Sequence, residues 1–209
     1  MTEPSADQRR DFFDALYVTA EGGGEAVPWD RGGLPQPLLA DWAAERQVAG
    51  GGRRAVVIGC GFGGDAEFLA GLGFVTDAFD FSAPAIEAAR KANPESVVEY
   101  VVADLLDLPA GWAGAYDLVL ESLTVQSMPR AVRPAMVAAV RALVAPGGTL
   151  LVISGQQGVW PDEPTGPWPL SRAEVESFGG DGLELVALAE PVGQDGRARW
   201  RAEFTRSAD

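Results

Sequence analysis

The stretch Arg54-Ala-Val-Val-Ile-Gly-Cys-Gly-Phe-Gly-Gly-Asp65 sets a nearly continuous apolar run directly against a cluster of glycines. Ala55 to Ile58 reads as a strand buried on both faces, as in a parallel sheet covered by helices. The glycines after it provide a sharp turn to which a ligand can approach closely, and a helical pattern over Asp65 to Leu72 follows. The spacing leaves two readings open. Gly59, Gly61 and Gly63 satisfy the GxGxG of S-adenosylmethionine (SAM) enzymes, and Gly59, Gly61 and Gly64 equally satisfy the GxGxxG of dinucleotide enzymes.

Downstream of this turn, strand-like and helix-like runs alternate: Val75 to Phe79, Pro84 to Ala92, Val97 to Val102, Tyr116 to Glu121, Ala131 to Val144 and Thr149 to Ser154. Such alternation predicts an α/β fold, doubly wound and Rossmann-like, with a mostly parallel sheet of seven strands. After Ser154 the pattern changes to a loop rich in Pro, Gly and Trp. Ser171-Arg-Ala-Glu174 then has the form of a capping box opening a helix. Two further strands, Leu183 to Ala189 and Ala198 to Thr205, flank a turn at Gly193 to Gly196 and predict a C-terminal antiparallel hairpin. Residues 1–50 read as helix, Gly-rich loop, helix. The whole chain, 1–209, is expected to be one domain, with 1–50 a helical N-terminal cap and 51–209 the Rossmann-like core.

Composition narrows the chemistry. The 209 residues suffice for one core, and no apolar run reaches the length of a membrane span or resembles a signal peptide. A cytoplasmic protein is therefore expected, and the lone Cys60 fits a reducing compartment. Histidine is absent altogether, which removes His-based triads, the commonest general base and the usual zinc ligands, so no metal is expected. The net charge of −14 repels phosphate backbones, so nucleic acid is not an expected partner. Nothing in the sequence speaks to oligomeric state.

Two acids extend the signal from the glycine turn. Asp80 follows Gly59 at roughly the interval at which the second strand of a nucleotide-binding fold ends on a carboxylate for the ribose hydroxyls. Asp77, three residues earlier, is the weaker candidate and reads as a solvent-facing or N-terminal strand residue. Asp104 ends the third strand, where an acid suits the adenine amino group. The Tyr-x-x-x-Lys pair of short-chain reductases is missing, since Tyr17, Tyr100 and Tyr116 are followed four residues later by Glu21, Asp104 and Leu120.

Taken together, Ile58-Gly-Cys-Gly-Phe-Gly63, Phe79-Asp-Phe-Ser82, Ala103-Asp104-Leu105 and Ala145-Pro-Gly-Gly-Thr149 resemble the class I SAM-dependent methyltransferases over roughly Arg54 to Thr205. Pro28-Trp-Asp-Arg-Gly-Gly-Leu-Pro35 and Gly166-Pro-Trp-Pro-Leu-Ser171 resemble the flanks of the thiopurine, halide/thiol and tellurite-resistance group. The resemblance implies SAM as cofactor and a small-molecule methyl acceptor with a sulfur, nitrogen or oxygen nucleophile. It implies cofactor contacts at Trp29, Gly59, Cys60, Gly61, Gly63, Asp80, Phe81, Asp104, Leu105 and Glu121. It also implies an N-terminal Trp segment over the cofactor, with Trp29 near its methionine end, and an acceptor pocket shaped by the loop after the fifth strand.

Glu121, at the end of the fourth strand, is the one catalytic candidate; it reads either as a cofactor or acceptor contact or as a residue orienting the loop. Where this group frequently carries an aromatic or His-containing segment, the chain instead reads Glu121-Ser-Leu-Thr-Val-Gln-Ser-Met128, in which Thr124 and Gln126 are pocket candidates. With no His and with Lys91 on an outer helix, Glu121, Asp30 and Tyr17 remain near the expected mouth. Trp29, Trp160 and Trp168 are expected as flat apolar walls. A methyl transfer by in-line displacement needs alignment more than a strong base. Two rival readings are a small NAD(P)-dependent reductase and a SAM-binding protein without turnover.

Overall fold

In the computed structural model, which describes residues 3–24, 27–163, 166–193 and 195–208, seven strands form one sheet. The helices are α1 (Ala6–Glu21), α2 (Pro37–Glu45), α3 (Gly64–Gly71), α4 (Ala83–Ala92), α5 (Arg133–Leu143) and α6 (Arg172–Glu176). The strands are β1 (Arg54–Ile58), β2 (Val75–Asp80), β3 (Glu99–Val102), β4 (Tyr116–Ser122), β5 (Val144–Gly155), β6 (Leu183–Ala189) and β7 (Arg199–Arg206). They lie in the order β3-β2-β1-β4-β5-β7-β6. The first five are parallel, while β7 runs antiparallel to both β5 and β6. The short link between β6 and β7 has no room for a crossover helix, so those strands must run in opposite directions. The expected seven-stranded, mostly parallel sheet with a C-terminal antiparallel hairpin is thus the observed one.

Strand alternation divides the core between the two faces. Val56, Ile58, Val119, Leu150 and Val152 face α5. Val57, Leu118, Leu120, Leu151 and Ile153 face α2, α3 and α4. Strand order reverses between β1 and β4, and the C-terminal ends of β1, β2 and β4 open on one edge of the sheet. This is the switch point at which open α/β sheets bind ligands.

Local signals explain the helix starts. Ser5 with Gln8, and Ser171 with Glu174, form reciprocal capping boxes. Ser82 caps α4, with Pro84 in its first turn. One boundary differs from expectation: the helix foreseen from Ala131 begins as a 3-10 turn at Arg130–Val132 and becomes α-helical at Arg133. Pro134 supplies the reason, since its ring is at home only in the first turn of an α-helix. β5 also starts earlier than expected. Val144 pairs with Tyr116, and the register shifts across the Pro-Gly-Gly turn before Thr149 pairs with Leu118. Among the described residues, no helix is long and apolar enough to cross a membrane.

Candidate active site

The glycine turn joins β1 to α3. Gly59, Gly61 and Gly63 have φ of 62°, 51° and 87°, a region that side chains avoid. Two of these glycines are also required by packing. A Cβ on Gly59 would lie 2.4 Å from the Thr124 hydroxyl, and one on Gly63 would lie 2.2 Å from the Tyr100 hydroxyl. The turn is locked to the end of β2 by Asp80, whose carboxylate accepts from the Gly61 amide (3.2 Å) and the Ser82 amide (3.0 Å). Burial pushes the Asp80 carboxyl up to about 6; the two amides pull against this, and the Asp14 charge adds to it.

A cleft of about 560 Å³ opens over this turn. Gly59, Cys60, Gly61, Asp80 and Phe81 line one side. From the cap come Phe12, Phe13, Leu16, Tyr17 and Trp29, and from the distal loops Trp160 and Pro167. The cap is held by its aromatic rings. Phe13 meets Trp29 and Phe81 edge-on at 5.4 and 6.0 Å, Tyr17 meets Phe62 at 5.3 Å, and the Trp29 indole donates to the Tyr17 hydroxyl at 3.0 Å. Beyond Asp80 lies a second, smaller slot of about 40 Å³. Asp104, Leu105, Phe81 and Met136 line it, and Arg10 of α1 closes over it. The Arg10 guanidinium is ion-paired with Asp104 and lies 5.3 Å from the Phe81 ring centre.

Of the residues singled out in the sequence, Trp29, Gly59, Cys60, Gly61, Asp80 and Phe81 border the cleft, and Asp104 and Leu105 border the slot. Thr124, Gln126, Asp30 and Tyr17 also border the cleft. Four others lie elsewhere. Gly63 caps α3 beneath Tyr100, while its neighbour Gly64 reaches the cleft. Trp168 is 2% exposed and packs beneath the distal loop, held by its amide on the Gln126 carbonyl (2.8 Å). Asp77 does not face solvent; it accepts from Arg54 and from the Tyr116 hydroxyl, both at 2.8 Å.

Glu121 is fully buried and borders neither space. Its Oε1 accepts from the Thr124 (2.9 Å) and Val125 (2.8 Å) amides, so the carboxylate caps the turn that forms one wall of the cleft. Of the two roles open to it, this geometry is that of a loop-orienting group.

Tertiary packing adds residues that no motif announced. Arg9 donates to the Ser127 carbonyl (2.9 Å), with its guanidinium 4.8 and 4.6 Å from the rings of Phe12 and Phe13. Arg199 stacks 4.6 Å from the Trp160 ring and pairs with Asp195 at the cleft's far end. Arg133, buried, ties Gln126, Trp168 and Glu174 together. Helical and near-neighbour spacing accounts for Arg9 with Phe12 and Phe13 and for Arg199 with Asp195, but not for Arg9 with Ser127, Arg199 with Trp160 or Arg133 with Trp168 and Glu174.

Few groups bordering the cleft can take a proton at neutral pH. Burial pushes the Tyr17 hydroxyl and the Cys60 thiol well above their ordinary values. Asp195 is held down at about 2 by Arg199. Asp30 accepts from the Gly32 amide at 2.8 Å and is exposed. Among the described residues, no histidine or lysine borders the cleft, and its tyrosine and cysteine keep their protons at neutral pH.

Residues 55–148 match a family described as a methyltransferase domain. The chain is 27% identical to the 2-heptyl-1-hydroxyquinolin-4(1H)-one methyltransferase of Mycobacteroides abscessus, over 81% of this chain and 74% of that protein. It is 34% identical to a ubiquinone biosynthesis O-methyltransferase of Xanthomonas campestris pv. campestris over 59% of this chain, and spans about half (54%) of that relative's length. A probable thiol methyltransferase 2 of Arabidopsis thaliana is 26% identical over 96% of this chain and 94% of its own. Among solved structures, the chain shares its fold with one described as "Conversion of a Disulfide Bond into a Thioacetal Group during Echinomycin Biosynthesis" (TM-score 0.76, 24% identity, 96% and 94% covered). It also shares it with the magnesium protoporphyrin IX methyltransferase of Synechocystis PCC 6803 with bound SAM (TM-score 0.69, 19% identity, 95% of each chain covered). The two readings left open by the glycine spacing are thereby decided in favour of SAM, and these likenesses together support a class I SAM-dependent methyltransferase.

Proposed function

We propose that this enzyme methylates a small, largely apolar or aromatic acceptor by in-line displacement, with the cofactor's adenosine toward the slot and the acceptor under the aromatic cap. The observation that carries this reading is the cleft's two-sided lining. The glycine turn and Asp80 stand on one side, and Phe12, Phe13, Leu16, Trp29 and Trp160 on the other. In this reading Asp80 accepts from the ribose, and Asp104 and Leu105 take the adenine edge. The Gly59 to Gly61 backbone and Trp29 flank the methionine end.

SAM supplies an electrophilic methyl group on a sulfonium. The chain's own contribution is to hold the two reactants in line and keep water out, which is worth several kcal/mol of barrier without any proton transfer. Asp80 and Asp104 grip parts of the cofactor that do not change charge, so they do not favour the ground-state sulfonium over the transition state. Glu121 holds the Thr124–Ser127 turn in place. Tyr17 and Cys60 are pushed up by burial, Asp80 is given to the ribose and Asp65 accepts from the Gln36 amide, so Asp30 is the exposed carboxylate on the cap side and the acceptor atom must be nucleophilic with little help. Thiolates, carboxylates, acidic hydroxyls and heteroaromatic nitrogens meet that condition.

The test is release of S-adenosylhomocysteine with thiol, carboxylate, phenol, heteroaromatic and aliphatic-alcohol acceptors across pH. Turnover of one of the first four classes, persisting in Glu121→Gln, is expected. Efficient methylation of an unactivated alcohol at neutral pH, or of a large polar acceptor only, would overturn the reading.

A further inference from the structure

Helix α1 carries Arg10, Asp14 and Tyr17 at i, i+4 and i+7, on one face. Arg10 lines the slot and Tyr17 lines the cleft, while Asp80 lines both. The helix face therefore passes over the junction of the two spaces, with Asp14 between the residues that mark either side, although Asp14 itself lines neither space. Among the described residues, Asp14 Oδ1 is buried and has no hydrogen-bond partner.

An unpartnered buried acceptor destabilises a fold and calls for an explanation. Here a second carboxylate, Asp80, lies close enough for the two charges to oppose one another. Both Asp80 oxygens are already engaged, by the Gly61 and Ser82 amides. No donor among the described residues reaches Asp14 Oδ1, although the neighbouring Arg10 Nε–H is itself buried without a partner, and a ribose has two hydroxyl donors to offer.

We propose that Asp14 is a second ribose acceptor, so that α1 and the end of β2 grip the cofactor's sugar from opposite sides. The inference rests on the placement of the ribose at Asp80 described above. Asp14 is then a cofactor-binding residue carried by the cap, and it makes the cap's closure sensitive to the sugar hydroxyls. The cap is thereby tied to the same ligand group as the core.

The test is calorimetry on the full chain with S-adenosylhomocysteine and its 2′-deoxy and 3′-deoxy analogues, together with thermal melts in the absence of ligand. Asp14→Ala should weaken S-adenosylhomocysteine binding about tenfold or more, the scale of one charge-assisted hydrogen bond. One deoxy analogue should bind wild type correspondingly worse, and Asp14→Ala should bind that analogue no worse than it binds S-adenosylhomocysteine. Asp14→Asn, which keeps an acceptor oxygen, should recover part of the loss. The ligand-free melting temperature of Asp14→Ala should equal or exceed that of wild type, because a buried, unpartnered carboxylate oxygen has been removed.

Equal weakening of all three ligands, no weakening at all, or a fall in melting temperature that tracks the affinity would overturn the proposal. If wild type binds S-adenosylhomocysteine and Asp80→Asn weakens it while Asp14→Ala shows no coupling to either hydroxyl, this inference alone fails. If both deoxy analogues bind wild type as well as the parent, the ribose placement fails with it.

Discussion

Replacing Glu121 with Gln should stabilise the protein above neutral pH. The Glu121 carboxyl is fully buried, and burial pushes it up to about 7 from an ordinary 4.5, the Val125 and Thr124 amides and the Arg133 charge pulling the other way. In the unfolded chain the group loses its proton near 4.5, but in the folded chain it does so only near 7. Between those values the folded state binds more protons, so stability is fully present below pH 4.5 and is lost as pH rises to 7. At about 1.4 kcal/mol per pKa unit the loss is about 3 kcal/mol. A Gln oxygen can still accept from the Thr124 and Val125 amides, so the cap survives without the charge. Its amide nitrogen takes the place of Oε2, which is buried without a partner, and that residual cost reduces the net gain at pH 8 to roughly 1–2 kcal/mol. Urea unfolding of both proteins from pH 4.5 to 8.5 measures this. Stability curves that remain parallel across the range, or a Glu121→Gln protein less stable at pH 8, would refute the reasoning.

Other perturbations follow from the same geometry. Asp80→Asn should weaken S-adenosylhomocysteine binding at least about tenfold by calorimetry, since it removes the charge from the proposed ribose acceptor. Because the Asp80 carboxyl titrates at about 6, wild-type affinity should fall as pH drops below that value, and the pH profile of Asp80→Asn should be flat there. Gly63→Ala should lower stability by roughly 1–3 kcal/mol, through its φ of 87° and the Tyr100 hydroxyl 2.2 Å from the new Cβ. Tyr100→Phe in that background should recover part of the loss in a thermal melt.

What the sequence disclosed follows from how local each signal is. The β1 turn, the capping boxes at Ser5 and Ser171 and the short β6–β7 link are specified by neighbours within a few residues. Of these, the β1 turn, the Ser171 box and the β6–β7 link are legible in the sequence as a parallel core, a helix start and a closing antiparallel pair. Glu121 shows where such reading ends: a carboxylate at a strand's C-terminal end has the same local sequence whether it faces the ligand or folds back onto the next turn. Only the approach of Thr124 and Val125 decides between the two. Gly63 and Trp168 are similar cases. Their partners, Tyr100 and Gln126, lie tens of residues away, and no periodicity carries that information. Arg10 and Asp14 read as ordinary charges on a cap helix until that helix is laid across the ends of β2 and β3.

The most direct test of the central claim is a calorimetric titration of the purified chain with S-adenosylhomocysteine and, separately, with NAD and NADP. Saturable binding of S-adenosylhomocysteine, abolished or strongly weakened in Asp80→Asn, with no heat from either dinucleotide, is the expected result. Dinucleotide binding in its place, or S-adenosylhomocysteine binding that is indifferent to Asp80, would contradict the assignment of the cleft.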